Sequence, residues 1–350
     1  MDYELTQSND HDRGGSLPWV DFLRVSASVL VVLAHVTAWG GGPEWADTIF
    51  YSLSRNGVPL FFMLAGFLLL SKREDTVTFF RKHAAKILVP FLVWSIVYDV
   101  AWNHAFADTG VTLDAVMSLF IRILRGPRAA HLWFFYALIG LYAFTPILRI
   151  FVANAKKSDL LYYIGLWILV MPVLFIVLEF TPLESGFELQ YFTGYVGYFL
   201  LGVFLGRMEI TPQRRWIAWG VFLAGLAFTF AVFQFNLPPE NNELVFRSYP
   251  SLNFVIMAGA AFLLLRSAGE RLDARRAGWL KIFSEASFGI YLVHSLLQVE
   301  FESVWKNMGF QTAVGPSLLV IPLMTILLYF ASFLVTHILR RIPILKYAVP

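Results

Sequence analysis

The stretch that decides the fold is PWVDFLRVSASVLVVLAHVTAW, residues 18–39. A helix crossing the hydrocarbon of a bilayer needs about 20 mostly apolar residues. This stretch meets that length, yet it carries Asp21, Arg24, Ser28 and His35. At about 100° per residue, Arg24 and His35 fall on one face, about 20° apart. Asp21 sits one turn before Arg24 and Ser28 one turn after it. The result is a polar stripe on an apolar helix, with Arg24 and His35 about 16 Å apart along the axis. A polar side chain inside a membrane is costly and marks a functional site by default.

The rest of the chain agrees with a membrane setting. Of 350 residues, 58% are hydrophobic and only 15% charged, with a mean hydropathy of +0.64. A soluble domain carries roughly 25% charged residues. Disordered, collagenous, coiled-coil and ordinary cytosolic classes are thereby excluded. Ten segments read as spans: 18–39, 58–70 (extending back to about Ser52), 87–105, 131–152, 160–180, 191–206, 216–235, 249–265, 282–304 and 314–339. The expected organisation is a polar tail over residues 1–17, one transmembrane domain over 18–340 and a second tail over 341–350. The first tail holds Asp2, Glu4, Asp10 and Asp12 without a basic start, so the first apolar run reads as a retained helix and not a signal peptide.

The net charge is +3 and the pI about 9.0. The basic residues follow topology. Of 27 Lys and Arg, all but Arg55, Arg122, Arg125, Arg128, Arg247 and Lys306 fall at one set of loops and span ends. The positive-inside rule then places both termini in the cytoplasm, and nucleic-acid binding is not expected. Cysteine is absent. That removes disulfides, a thiol nucleophile and thiolate metal sites. No close set of His and carboxylate ligands appears, so no metal is expected.

Three groups of residues point to chemistry. His35 is the natural general base near neutral pH, with a satisfied structural histidine as the alternative. Arg24, or an ordinary interfacial pair of Asp21 and Arg24, holds the other end of the stripe. Residues 71–86 read as a basic cytoplasmic loop in which Arg81, Lys82, His83 and Lys86 suit phosphate, or simply obey the positive-inside rule. An outer segment, LDAVMSLFIRILRGPR (113–128), reads as an amphipathic helix closed by Gly126-Pro127. Its Arg122, Arg125 and Arg128 suit an anionic acceptor or lipid headgroup phosphate, and His131 and Trp133 follow as further acceptor contacts. A partner orienting His35 would come from another span, with Asp99, His104, Glu300 and Glu302 as candidates.

Four stretches, in order, resemble the acyltransferase-3 family of integral membrane acyltransferases. They are the first span, SRNGVPLFFMLAGFLLL (54–70), HLWFFYALIGLYAFTPIL (131–148) and SFGIYLVHSLL (287–297). The similarity is to short members lacking an extracellular esterase-like domain, such as the enterobacterial common antigen O-acetyltransferase. It implies a multi-pass enzyme of the bacterial inner membrane. Such an enzyme takes an acyl group, usually acetyl, from cytoplasmic acyl-CoA and passes it to a hydroxyl of a cell-surface or lipid-linked glycan. His35 matches the family's first-helix histidine and Arg24 its arginine. HAAKILVP (83–90) places His83 and Lys86 where the family usually has two arginines. Tyr291 and His294 match the late-helix motif, in a supporting role. The implied route lays the pantetheine arm along the first-span stripe. The rival reading is a transporter or flippase for a glycan or small solute, although the chain shows no two similar halves.

Overall fold

The computed structural model describes residues 17–38, 44–72, 74–103, 106, 110–182, 194–237, 243–307 and 314–350. Of the sequence expectations, residues 1–16, Trp39, Arg73, His104, Ala105 and the first residues of the sixth span (191–193) lie outside these. The described residues form only helices and turns. In chain order these are α1 (Pro18–Thr37), α2 (Glu44–Ser54), α3 (Gly57–Leu70), α4 (Thr76–Asn103), α5 (Leu113–Arg125), α6 (Trp133–Asn154) and α7 (Lys157–Ile168). There follow α8 (Leu174–Phe180), α9 (Val196–Arg207), α10 (Pro212–Gln234), α11 (Leu252–Gly269), α12 (Ala274–Asn307) and α13 (Val314–Arg341). Nine segments among them are long and apolar enough to cross a membrane, and α9 is a shorter apolar helix. The expected all-α polytopic architecture is the one observed.

The spans differ from expectation where local chemistry overrides hydropathy. The second span is two helices, α2 and α3, broken at Arg55–Asn56. The fifth is α7 and α8 joined by a π-turn, Leu169–Val173, which contains Pro172. The residues expected as a basic loop are mostly helical. α4 begins at Thr76 because Asp75 caps it, its Oδ1 accepting from Thr78 N at 3.0 Å. Arg81, Lys82, His83 and Lys86 therefore stand on helical turns. Likewise Asp273 starts α12, its Oδ1 accepting from Arg276 N at 2.8 Å. α5 matches its expected span, with Thr112 as N-cap and only Leu119 and Ile123 buried.

α1 is the hub. It packs against α12, α11, α3 and α13. Its first half joins the main core through Trp19, Leu23 and Ala27. Its second half joins Ile290 of α12 and Leu328 of α13 through Val32 and Val36. α3 and α9 approach backbone to backbone. A Cβ on Gly66 would meet the Phe199 carbonyl, and one on Gly202 would meet that of Met63. Small residues at both contacts permit this close crossing.

Contacts sort the helix ends into two groups. At one end, Arg266 of α11 lies over Trp19 and donates to Leu205 O and Met208 O after α9. Arg149 of α6 donates to Leu69 O of α3. Arg340 of α13 donates to Glu285 O of α12. This end carries most of the cations, so the positive-inside rule makes it the cytoplasmic one. The last residues fold back on the bundle: Ala348 O accepts from Trp94 Nε1 at 2.9 Å, and Val349 is buried.

Candidate active site

The opposite end of α1 carries His35, and the fold brings two more histidines to it. His131 comes from the 3-10 turn that leads into α6, and His294 from the middle of α12. The His35 and His294 rings are T-shaped with centroids 4.7 Å apart. His131 stands 5.4 Å from His294 and 6.1 Å from His35. His131 and His294 are buried, whereas His35 is half-buried. Two tyrosines lock the arrangement. Tyr98 of α4 donates to Leu292 O of α12, and Tyr291 of α12 donates to His131 O, both at 2.6 Å.

Hydrogen bonds decide the histidine tautomers. His35 Nδ1 lies 2.8 Å from Val31 O, one turn back on α1. A carbonyl can only accept, so the proton is on Nδ1 and the lone pair on Nε2. His294 repeats the pattern, with Nδ1 2.7 Å from Tyr291 O. Among the described residues no carboxylate is bonded to His35. Asp99 is bonded to Arg122 and Arg128, and Glu302 to Lys306. The backbone carbonyl does the orienting, and no residue type in a sequence announces that. Among the described residues no three His, Asp or Glu side chains are placed to share a metal ion.

The other members of the α1 stripe face helix partners. Ser284 of α12 donates to Asp21 Oδ1 at 2.6 Å and accepts from Arg24 Nη1 at 3.0 Å. Arg24 also lies 3.8 Å from Asp21 and remains 30% exposed. Ser28 is buried and hydrogen-bonded to Tyr329 of α13 at 3.0 Å. At Ser28 the stripe therefore meets α13.

The basic end gathers more than the sequence suggested. Glu74 sits at its centre with Arg149 at 3.5 Å, His83 at 3.5 Å and Lys82 at 3.6 Å. Burial pushes the Glu74 carboxyl up, but the surrounding charges of Arg149, Lys82 and His83 win and hold it below the usual carboxylate range. Arg149 also lies over Phe79. Tyr142 stands beside His83 and within electrostatic range of Arg24 and Arg149. Arg81 and Lys86 are exposed on the flank of α4. Lys82 and His83 thus share Glu74, and Tyr142 stands between His83 and Arg24. Arg149 and Tyr142 were not foreseen, since they come from α6, far along the chain, and Glu74 was passed over within the basic segment itself.

At the outer end the three arginines of residues 113–128 part company. Arg122 Nη2 and Arg128 Nε bind the two oxygens of Asp99 at 2.9 and 2.7 Å, and the carboxylate is wholly buried. Arg125 is exposed on α5. Trp133 begins a row of rings, stacked on Tyr249 at 5.4 Å and tilted on Tyr195 at 5.7 Å. Arg55 lies 3.9 Å over the far face of this row at Tyr249 and donates to Arg247 O at 2.7 Å. Arg55 and Tyr249 were not singled out from sequence. A groove between α10 and α11, lined by Val221, Phe228 and Ile256, is apolar and distant from the histidines.

One relative, an amino-acid racemase of Enterococcus faecalis, is 23% identical over 352 aligned positions, covering 95% of this chain and 47% of that protein. The chain thus spans about half the length of that relative. No solved structure matches. The family model of the acyltransferase-3 domain matches residues 17–339, nearly the whole chain. With its helical membrane architecture and that match, the chain belongs to the acyltransferase-3 family.

Proposed function

We propose that this chain is a membrane O-acyltransferase. It takes an acyl group, acetyl foremost, from cytoplasmic acyl-CoA and passes it to a hydroxyl of a cell-surface or lipid-linked glycan in the bacterial inner membrane. The observation that carries the reading is His35: half-buried, oriented through Nδ1, and left with a lone pair on Nε2 beside His131 and His294.

The chemistry needs few parts. His35 Nε2 takes the proton of the acceptor hydroxyl while that oxygen attacks the thioester carbonyl. The tetrahedral intermediate collapses, the C–S bond breaks, and the coenzyme thiolate leaves with the proton returned by His35. The donor's phosphates are held at the basic end, by Arg24 with Arg81, Lys82, His83 and Lys86 around it. Arg149 and Tyr142 add to that cradle, and Glu74 keeps its cations together until phosphate replaces it. Ser28 is bonded to Tyr329, and the thioester arm is read as passing between α6 and α12. Phe135 and Phe288 pack there and would move aside, while Tyr291 keeps its bond to His131 O.

The acceptor lies on Trp133 and the rings beside it. Sugar faces stack on aromatic rings, and Arg55 at the end of the row suits a phosphate or carboxylate. Arg122 and Arg128 support this surface through Asp99, and Arg125 faces lipid headgroups.

The test uses purified protein, acetyl-CoA labelled in the acetyl group, and a membrane glycolipid extract. Label entering glycolipid in an alkali-labile ester, with stoichiometric coenzyme release, is the expected result. Folded protein that neither binds acyl-CoA nor releases coenzyme would overturn the proposal.

A further inference from the structure

His294 is a buried, titratable group that the scheme above leaves idle. Its Nε2 has no hydrogen-bond partner in the structure, and neither has that of His131. Buried polar atoms are nearly always paired, so an orphan calls for an explanation. The tautomers supply one. His294 Nδ1 donates to Tyr291 O, so its Nε2 is an acceptor. His35 Nε2 is an acceptor for the same reason. Two acceptors cannot bond to each other, and the resting state leaves both lone pairs open.

Proton uptake by His35 changes that. Its Nε2 becomes an N–H donor carrying positive charge. The ring centroids are only 4.7 Å apart, which puts the two Nε2 atoms within reach of a hydrogen bond when the rings turn towards each other. No carboxylate of the described residues is bonded to any of the three rings. Stabilising the imidazolium therefore falls to a neutral lone pair.

We infer that His294 is a positioning residue whose Nε2 accepts a hydrogen bond from protonated His35. The proton leaves the acceptor hydroxyl, resides on His35 Nε2 shared towards His294, and returns to the departing thiolate sulfur. The bond exists only after proton transfer has begun. It therefore stabilises the transition state and not the resting enzyme, which is the condition for raising kcat. His131 walls the pair from the α6 side, and its own Nε2 faces the same burial without a partner. The inference rests on His35 being the base.

The experiment measures kcat and KM for coenzyme release in wild type, His35→Ala, His294→Phe and His294→Gln. Gln keeps an acceptor near the position of Nε2, whereas Phe keeps the ring shape without one. His294→Phe is expected to lose kcat on the order of 100-fold, with KM for donor and acceptor within about twofold. His294→Gln is expected to regain at least about tenfold of that loss. Where the Phe variant does not fold, His294→Met takes its place. Wild-type kcat in the apolar variant, or a Gln variant no better than Phe, overturns the inference while leaving the His35 reading intact. Full turnover in His35→Ala overturns both.

Discussion

Replacing Asp99 separates two accounts of the outer arginines. The sequence offers Arg122 and Arg128 as acceptor contacts, whereas the structure has both gripping one carboxylate with no exposure to solvent. The two bonds, at 2.9 and 2.7 Å, are charge-assisted, and such bonds are worth about 1.5–3 kcal/mol each. Arg122 is 36% exposed, so its share belongs at or below the lower bound. Arg122→Gln alone is expected to cost about 1 kcal/mol, because Arg128 still neutralises the carboxylate. Asp99→Asn takes the carboxylate from two partly exposed guanidiniums, at a cost of about 1–3 kcal/mol. The decisive variant is Arg122→Gln with Arg128→Gln. It leaves a buried carboxylate without either guanidinium, so its cost exceeds the sum of the single changes by about 1–3 kcal/mol. Adding Asp99→Asn to that double variant removes the buried carboxylate charge and restores stability. The assay is thermal unfolding in detergent, with acceptor KM measured beside it. Additive costs, no rescue, and a raised acceptor KM at unchanged Tm would refute the clamp and return both arginines to acceptor binding.

Two further outcomes follow from the same geometry. Gly202→Ala places a methyl group inside the Met63 carbonyl and forces α3 and α9 apart. The expected cost is about 1–3 kcal/mol or more, read as a lower Tm, and an unchanged Tm would mean the helices do not touch there. Glu74 is held below the usual carboxylate range, so the stability it adds is present above the unfolded value of about 4.3 and is lost as pH falls through the lower folded value. Wild type is therefore expected to lose Tm below about pH 4 more steeply than Glu74→Gln, and parallel curves would contradict the cluster around Arg149.

Hydropathy made most of this fold legible, because a bilayer demands long apolar runs and few other patterns satisfy it. The starts of α4 and α12 were hidden, since their first turns are charged and only Asp75 and Asp273 as caps reveal them. The break between α2 and α3 is likewise a local event inside one apolar run. Arg24 and His35 could be placed on one face from periodicity alone. Their partners could not, because the Val31 carbonyl leaves no trace in composition, and Ser284, Tyr329, His131 and His294 arrive only through tertiary packing. The arginines of residues 113–128 show the converse. Their charge was visible from sequence, but Asp99 absorbs two of the three across a helix boundary.

The most direct test of the account compares wild type with His35→Ala in two assays on the same folded preparations. Binding of non-hydrolysable acetyl-CoA is expected to be unchanged, because the donor's phosphates are held at the basic end, about 16 Å from His35. Acyl transfer is expected to fall by about 10²–10⁴-fold, the contribution of a general base. Transfer that survives His35→Ala at the wild-type rate would contradict the central claim that His35 takes the acceptor's proton.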